Sequence, residues 1–265
     1  MRIEIRSETL KTYKGFLIDL DGTIYYGTRR IPSAEKFVNE LKRREHAFLF
    51  LTNNATRSPQ EIVDNLRSNY ELPVGLENVY TSTQALVSYM QEHYLGEEVH
   101  IVGERALHEQ VKTAGFKLTT STKAGVVVQG LNRQATYEEL ALAATAIREG
   151  ADFFVTNADQ TIPTEMGIMP SSGALTAFLE VASGKKGLIM GKPNALIVEA
   201  ALEEMGLTAD EVLLIGDKYE TDILAGINAG VDTLLVLTGV TRAEDVANLP
   251  ASPTYILDNL SEWVF

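Results

Sequence analysis

Residues 16–23, with the sequence F-L-I-D-L-D-G-T, constrain the fold of this chain more than any other stretch. The apolar residues predict a buried strand, and D-G-T predicts a tight loop at its end. Asp19 and Asp21 are two positions apart, so an extended strand directs both carboxylates to the same side. Because like charges at this spacing repel, the pair predicts a cation site or acid-base chemistry, while a lone D-x-D-G is equally typical of a solvated turn.

The composition is that of an ordinary globular protein. With 265 residues, 45% of them hydrophobic and 22% charged, the chain has room for one large or two ordinary domains. The absence of cysteine excludes disulfides, thiol catalysis and zinc-thiolate sites. No stretch has the apolar character of a signal peptide or a membrane span, so we expect a cytoplasmic protein without a membrane partner.

The chain carries a formal net charge of −13, without long acidic tracts. Such a surface repels the phosphate backbone of nucleic acids, so we expect no nucleic acid polymer among its partners. It also repels small phosphorylated molecules. A site for such a molecule therefore requires a bound cation, together with a lysine or helix N-termini that reverse the local field.

Alternating strand and helix patterns follow the first strand. An amphipathic segment opens at Pro32 and ends in basic residues at 42–44, as is favourable for a helix. The apolar run 47–51 predicts a second buried strand, and a capping box at 58–61 with Pro59 at the first helical position predicts the next helix. This order is typical of a doubly wound parallel sheet.

The middle of the chain continues the alternation but has the character of a separate unit. We predict an α/β domain at residues 81–182, inserted into a core domain formed by residues 1–80 and 183–265. A strand at 187–190 and a helix with Pro193 at its first position are expected to resume the core pattern. The predicted fold class is therefore α/β, a doubly wound parallel sheet with a large inserted α/β domain.

Polar residues follow four of the predicted buried strands. They are Asp19 and Asp21, Thr52 and Asn53, Lys192, and Asp217 with Asp222 just beyond. Each has an ordinary explanation by itself, as a strand-end hydroxyl, a solvated lysine or a helix-capping carboxylate. In a parallel sheet, however, the C-terminal ends of all strands meet at one edge, where ligands bind. The coincidence at four strand ends therefore favours a single functional site.

The motifs D-x-D-G-T, L-T-N-N, G-K-P and G-D-x-x-x-T-D occur in this order at residues 19–23, 51–54, 191–193 and 216–222. They resemble the four motifs of the haloacid dehalogenase (HAD) superfamily in sequence and spacing. The insertion at 81–182 is similar to the large cap of the NagD-like phosphatases (subclass IIA), a group that includes p-nitrophenyl phosphatase and nucleotidase-like enzymes. The resemblance extends over essentially the whole chain and implies a HAD core with an inserted α/β cap domain.

The resemblance also implies a hydrolase of phosphoric monoesters and assigns roles to the motif residues. Asp19 would be the nucleophile that forms an aspartyl-phosphate, and Asp21 would protonate the leaving oxygen and then activate water. Thr52 and Lys192 would complete the catalytic set. The backbone N–H of Asn53, together with Lys192, would bind the phosphoryl oxygens of the substrate.

A Mg²⁺ cofactor is implied by the same resemblance, because a carboxylate nucleophile must approach an anionic phosphate. Its ligands would be Asp19, the backbone carbonyl of Asp21, and Asp217, with Asp222 acting through a water or holding Lys192. Oxygen ligands of this kind suit Mg²⁺ far better than zinc. The second aspartate of D-x-D also separates the chain from dehalogenases and phosphonatases of the superfamily, and so favours phosphate-ester chemistry.

The expected function is Mg²⁺-dependent hydrolysis of a small phosphorylated metabolite, such as a nucleoside monophosphate, a sugar phosphate or pyridoxal phosphate. Two alternatives use related chemistry. A phosphomutase or other phosphotransferase would return the phosphoryl group to a sugar instead of to water. A receiver-like signalling module would retain the phospho-aspartate, but bacterial receivers are much shorter and lack an inserted domain.

Loops of the inserted domain are expected to select the substrate, because loops at strand ends carry specificity. The candidates are residues 130–135 and 157–163. The sequence T-N-A-D at 156–159 resembles a T-N-P-D loop of the family, with Ala158 in place of proline. An exposed face of the same domain is compatible with a homo-oligomer.

Overall fold

The structure is a computed structural model that describes residues 11–164 and 166–265. The chain forms two compact units. Among the described residues, the first unit contains 11–52, Pro59–Tyr80 and Lys192–Phe265, and the second contains Asn53–Ser58 and Thr81–Gly191. The first ten residues of the predicted core lie outside the described residues.

Strands and helices alternate along most of the described chain. The strands are β1 (Gly15–Ile18), β2 (Tyr25–Tyr26), β3 (Arg29–Arg30), β4 (Ala47–Thr52), β5 (Val79–Thr81), β6 (Glu98–Val102), β7 (Lys117–Leu118), β8 (Val126–Gln129), β9 (Asp152–Val155), β10 (Thr161–Thr164), β11 (Gly167–Pro170), β12 (Leu188–Ile189), β13 (Val212–Gly216), β14 (Asp232–Val236) and β15 (Tyr255–Leu257). The α-helices are α1 (Pro32–Arg43), α2 (Pro59–Tyr70), α3 (Ser82–His93), α4 (Arg105–Thr113), α5 (Tyr137–Glu149), α6 (Ser172–Ser183), α7 (Ala195–Met205) and α8 (Leu224–Asn228). Short 3₁₀ turns occur at Leu76–Asn78, Ala209–Glu211, Val246–Asn248 and Leu260–Glu262.

The first unit is built on a six-stranded sheet with the order β15-β14-β13-β1-β4-β5. Strand β1 pairs in parallel with β4 on one side and with β13 on the other, and β14 and β15 continue the parallel arrangement. Every residue of β1 and β13 is buried, which explains why their apolar runs are continuous and not alternating. The predicted α/β class with a doubly wound parallel sheet is confirmed.

Helix α1 shows how the sequence determines an element of this unit. Pro32 occupies the first turn, where the missing N–H has no helical partner to lose. Phe37, Val38 and Leu41 recur at helical spacing and are buried in the core of the first unit. The ring of Phe37 meets that of Phe16 edge-on, with centroids 5.8 Å apart, so the helix packs directly on the first strand.

The second unit is built on a separate five-stranded sheet with the order β12-β9-β8-β6-β7, in which every neighbouring pair is parallel. Side-chain caps begin two of its helices. The hydroxyl of Thr81 accepts the N–H of Gln84 at 3.1 Å at the start of α3, and that of Thr136 accepts the N–H of Glu139 at 3.2 Å at the start of α5. Both caps satisfy N–H groups that the first helical turn leaves without a main-chain partner.

Strand β12 differs from the prediction for the end of the inserted domain. The sequence predicts a return to the core at residue 183 and a core strand at 187–190. In the structure β12 pairs in parallel with β9, so this segment lies in the second unit, which extends to Gly191. A short apolar run before a glycine is compatible with an edge strand in either sheet. Which sheet the run joins depends on partner strands that are distant in sequence.

The segment after β9 also differs from the prediction. The sequence predicts a loop at 157–163, but β10 and β11 form an antiparallel hairpin that is followed by α6. The hairpin contains prolines at positions 163 and 170, which argue against strands when only the sequence is considered. The hairpin and α6 were therefore not predicted.

Two helix boundaries near the predicted site are corrected as well. Helix α7 begins at Ala195 with Asn194 as its N-cap, so Pro193 precedes the helix and does not occupy its first position. The predicted helix from residue 221 to Gly230 is a π-helical turn, Tyr219–Ile223, followed by the short α8. Among the residues that the structure describes, no helix combines the length and the apolar character that a bilayer span requires.

We expect Leu17→Ala to lower the free energy of unfolding by about 3 kcal/mol, because it leaves a cavity in the buried strand β1. Urea unfolding followed by fluorescence measures this change, since the single tryptophan, Trp263, lies in the first unit and packs edge-on against Phe16. Leu76→Ala, at a position that is 52% exposed, is the matched control and should cost less than about 0.5 kcal/mol. Equal losses in the two variants would contradict a core position for β1.

Candidate active site

Three neighbouring strands of the first unit end in polar residues at one edge of its sheet. Asp19 directly follows β1, Thr52 is the last residue of β4, and Asp217 directly follows β13. The N–H of Asp19 donates to the carbonyl of Ile215 at 2.9 Å, so the main-chain ladder continues up to the aspartate. Because these strands are parallel neighbours, their C-terminal ends bring the three residues to the same edge.

The carboxylates of Asp19, Asp217 and Asp222 form an acidic cluster, in which one oxygen of each residue lies within 4.8 Å of the other two. Asp217 is 1% exposed and Asp222 is 2% exposed, whereas the side chain of Asp19 is 14% exposed. Asp222 reaches the cluster from the π-helical turn, where its Oδ2 accepts the N–H of Lys218 at 3.0 Å. Three predicted site residues therefore lie together.

Lys192 faces this acidic cluster. Its Nζ lies 2.5 Å from Oδ1 of Asp19 and 2.7 Å from Oδ1 of Asp222, and it donates to the carbonyl of Leu51 at 2.9 Å. The side chain is only 3% exposed. The sequence predicts a core strand before Lys192, but β12 belongs to the other sheet, so the lysine reaches the cluster from the segment that precedes α7.

Burial and mutual repulsion govern the protonation of these groups. Burial raises the pKa of Asp19, and repulsion from Asp222 raises it further against the attraction of Lys192. Burial and the same neighbour raise the pKa of Asp217 to about 7. Burial by itself would lower the pKa of Lys192, but the attraction of Asp19 and Asp222 outweighs it, so the pKa of the lysine is raised.

The donor set is suited to a divalent cation. Three carboxylates face one ammonium group, which leaves an excess of negative charge when all are ionised. Repulsion from Asp222 adds to the effect of burial in raising the pKa values of Asp19 and Asp217, even though Lys192 acts in the opposite direction. Carboxylate oxygens at this separation are the ligands of hard divalent cations, so the residues present fit such an ion.

A loop that the sequence pattern does not reveal completes the surroundings of Asp217. It comprises residues 238–241, with the sequence T-G-V-T, shortly after β14. The N–H of Val240 donates to Oδ2 of Asp217 at 2.7 Å, and the N–H of Thr241 donates to the main-chain carbonyl of Asp217 at 3.1 Å. Only its position could have indicated this loop as part of the site, because it follows a core strand at the sheet edge where the motif aspartates lie.

Two glycines allow the main chain to approach Asp217 this closely. Gly22 has a φ of +93°, and a Cβ placed on it would lie 2.3 Å from the Asp217 carboxylate. A Cβ on Gly239 would lie 2.0 Å from Oδ2 of the same residue. Thr238 joins the two segments by donating its hydroxyl to the carbonyl of Gly22 at 2.6 Å. Any side chain at either glycine would displace Asp217.

The other predicted site residues have different surroundings. Asp21 is exposed, and its Oδ1 accepts one main-chain N–H at 3.2 Å. Thr52 is buried at the end of β4. Asn53 belongs to the second unit, where its carbonyl accepts hydrogen bonds from two side chains. The structure thus brings Lys192 to the acidic cluster, which does not include the carboxylate of Asp21.

Comparison with known proteins identifies the family. Residues 16–117 match a family described as haloacid dehalogenase-like hydrolase, and residues 189–263 match one described as HAD-hydrolase-like. The chain is 42% identical over 255 residues to 5'-nucleotidase YutF of Bacillus subtilis (strain 168), covering 96% of this chain and 99% of that protein. The chain belongs to the haloacid dehalogenase-like hydrolases.

Two further relatives place this HAD hydrolase more closely. It is 40% identical over 253 residues to an acid sugar phosphatase of Staphylococcus aureus, covering 96% of this chain and 97% of that protein. Its structure is similar to that of NagD from E. coli K-12, with a TM-score of 0.90 and 30% identity over 96% of this chain and 99% of NagD. The predicted HAD fold, the NagD-like affiliation and the classification as a hydrolase are confirmed.

We expect Mg²⁺ to raise the melting temperature of this HAD hydrolase more at pH 8 than at pH 5. A carboxyl group whose pKa is raised by folding contributes stability at low pH, and for Asp217 this contribution is lost as the pH rises from 3.8 to about 7. A cation bound by the ionised acidic cluster reverses the loss at pH 8, whereas at pH 5 it must displace protons. Differential scanning calorimetry with and without Mg²⁺ measures both effects.

Sodium chloride at matched ionic strength is the control for this measurement. Asp217→Asn should abolish most of the difference between the two pH values, because it removes both a titrating group and a ligand oxygen. An equal rise at pH 5 and pH 8, or an unchanged difference in the variant, would show that the cation binds elsewhere.

Proposed function

We propose that this HAD hydrolase is a Mg²⁺-dependent phosphatase that cleaves small phosphomonoesters through an aspartyl-phosphate on Asp19. The observation that carries the proposal is the position of Lys192, whose ammonium group contacts Asp19 and Asp222 while it also binds the end of β4. A carboxylate nucleophile, a cation for the phosphate and ligands for a metal are thereby available together. Phosphoryl transfer requires this combination, because the substrate and the nucleophile are both anionic.

The acidic cluster would hold the Mg²⁺ ion. Asp19 and Asp217 offer side-chain oxygens, and the backbone carbonyl of Asp21 would add a further protein ligand. Asp222 already binds Lys192 and would act through a water or by orienting the lysine. When bound, the ion neutralises negative charge on the transferring phosphoryl group and on the nucleophile.

Asp19 carries out the first chemical step. Its carboxylate oxygen attacks phosphorus, an O–P bond to the aspartate forms, and the bond from phosphorus to the ester oxygen breaks. Lys192, which lies 2.5 Å from Oδ1 of Asp19, orients this carboxylate and favours the ionised form that a nucleophile requires. The side chain of Asp19 retains some exposure, as access for a substrate requires.

Asp21 moves the protons in this mechanism. Its carboxyl group gives a proton to the leaving ester oxygen in the first step. In the second step it takes a proton from a water molecule whose oxygen attacks the phosphorus, and the O–P bond to Asp19 breaks, which releases phosphate. The hydrogen bond from the N–H of Gly27 to Oδ1 of Asp21 orients the carboxyl group for both transfers.

Thr52, the N–H of Asn53 and Lys192 bind the oxygens of the transferring phosphoryl group. Donors that are fixed before the reaction stabilise the developing charge without reorganisation. Lys192 is bound to the carbonyl of Leu51, the residue before Thr52, so the lysine and the end of β4 are already connected. The net charge of −13 repels a phosphorylated substrate, and these donors supply the local positive field that attracts its phosphoryl group.

Small phosphorylated metabolites are the substrate class that we propose. The relatives are named a 5'-nucleotidase and an acid sugar phosphatase, so nucleoside monophosphates and sugar phosphates are the first compounds to assay. The second unit would act as the cap domain, with loops at its strand ends selecting among substrates. Phosphate release from a panel of phosphorylated metabolites, with and without Mg²⁺, tests the proposal directly.

We expect Asp19→Asn to reduce kcat for p-nitrophenyl phosphate by at least about three orders of magnitude, because an amide cannot form the covalent intermediate. Steady-state release of p-nitrophenol measures the loss, and tryptophan fluorescence checks that the variant is folded. Glu204→Gln, which removes one exposed carboxylate, is the matched control and should retain full activity. Substantial turnover by Asp19→Asn would contradict the nucleophile assignment.

We expect Asp21→Asn to lower kcat/KM much more for an alkyl phosphate than for p-nitrophenyl phosphate, with the two losses differing by at least about 100-fold. The alkoxide leaving group needs a proton, whereas p-nitrophenolate leaves without one. Because kcat/KM includes only the steps up to the first irreversible one, loss of the later water-activating role does not obscure the comparison. Equal losses on both substrates would count against Asp21 as the general acid.

A further inference from the structure

The main-chain carbonyl of Asn53 is held by two side chains of the second unit. Nδ2 of Asn157 donates to it at 3.0 Å, and Oγ of Ser82 donates to it at 3.3 Å. Asn157 is 7% exposed, and Ser82 is fully buried. Buried donors fix the backbone at the carbonyl that they share, because breaking either bond leaves a polar group unpaired away from water.

A second hydrogen bond determines which way the Asn157 amide faces. Its Oδ1 accepts the N–H of Asp159 at 3.3 Å, which leaves Nδ2 as the atom directed to Asn53. Thr156, the residue before it, donates its N–H to the carbonyl of Gln129 at 2.9 Å and so continues the ladder between β9 and β8. Asn157 is therefore attached to a strand end of the second sheet.

Gly191 packs against the same place. A Cβ on this residue would lie 2.4 Å from Oδ1 of Asn53 and 2.4 Å from the carbonyl oxygen of Thr156. No side chain larger than hydrogen can occupy the position without displacing one of these neighbours. We call the five residues Asn53, Ser82, Thr156, Asn157 and Gly191 the Asn53 cluster.

The Asn53 cluster is directly connected along the chain to the proposed phosphoryl-binding residues. Thr52 precedes Asn53, and Lys192 follows Gly191. All five members of the cluster belong to the second unit, whereas Thr52 and Lys192 belong to the first. Thr52 and Lys192 are therefore each joined by one peptide bond to a residue that is held by hydrogen bonds or packing within the second unit.

We propose that Asn157 is a positioning residue for phosphoryl binding, acting through the carbonyl of Asn53. The inference rests on the proposed function, because it requires the N–H of Asn53 to bind phosphoryl oxygens. It also changes the interpretation of the T-N-A-D segment at 156–159, part of which the sequence predicts to be a substrate-selecting loop. A selector contacts the part of the substrate that varies, whereas Asn157 acts on the group that all phosphomonoesters share.

The test compares Asn157→Ala with the unsubstituted enzyme in the presence of Mg²⁺. We expect kcat/KM to fall about tenfold, and by the same factor for p-nitrophenyl phosphate and for a ribonucleoside monophosphate. Competitive inhibition by inorganic phosphate should weaken by a similar factor, because phosphate has no leaving group to be selected. In ¹⁵N–¹H spectra, the shift of the Asn53 amide signal on adding phosphate should decrease.

Two further variants make this result specific. Ser82→Ala removes the other donor to the Asn53 carbonyl and should give a smaller loss of the same kind, and it takes the place of Asn157→Ala should that variant fail to fold. Gln91→Ala is the matched control, because Nε2 of Gln91 donates to the carbonyl of Ala114 at 3.2 Å within the same unit. Its kinetic constants and phosphate inhibition should equal those of the unsubstituted enzyme.

A loss confined to one substrate, or unchanged kinetics and phosphate inhibition in both Asn157→Ala and Ser82→Ala, would overturn the positioning role. Failure of the unsubstituted enzyme to hydrolyse any phosphomonoester with Mg²⁺ would instead overturn the proposed function. The two failures are distinguishable, because the first is observed only in variants of an active enzyme.

Discussion

Repulsion among three closely spaced carboxylates, two of them buried, is the constraint on which the rest of the site depends. Asp19, Asp217 and Asp222 share one site with a single ammonium group, and burial together with the neighbouring Asp222 raises the pKa of Asp217 to about 7. The fold tolerates this because Lys192 is itself buried against two of the carboxylates and main-chain N–H groups meet carboxylate oxygens of Asp217 and Asp222. A divalent cation is the counter-charge that would complete the balance.

These N–H groups reach the carboxylates because the main chain passes close to Asp217 and Asp222. A Cβ on Gly216 would lie 2.2 Å from Cβ of Asp222, and Gly22 and Gly239 flank Asp217 in the same way. The sequence indicates a turn at Gly22, because D-G-T follows a strand. Nothing in the composition of residues 238–241 marks them as neighbours of an aspartate that lies earlier in the chain, since the loop contains no charged residue.

Elements were predicted correctly where one stretch of sequence contains the necessary information. Strands β1 and β13 are buried throughout and β4 is buried beyond its first residue, so their continuous apolar runs identify them without knowledge of their neighbours. Prediction was wrong where the outcome depends on partners distant in sequence. The apolar run at 187–190 joins the second sheet through β9, and the segment that the sequence suggests is a loop closes into the hairpin β10–β11.

Lys192 lies at the acidic cluster although the strand predicted before it belongs to the other sheet. A lysine acts on anions through a compact charge at the end of a long side chain, so it requires only a fixed main-chain position within reach. Gly191, the residue before Lys192, packs between Asn53 and Thr156 and leaves no space for a side chain there. The G-K-P motif therefore meets two separate requirements, a glycine for packing within the second unit and a lysine for charge within the first.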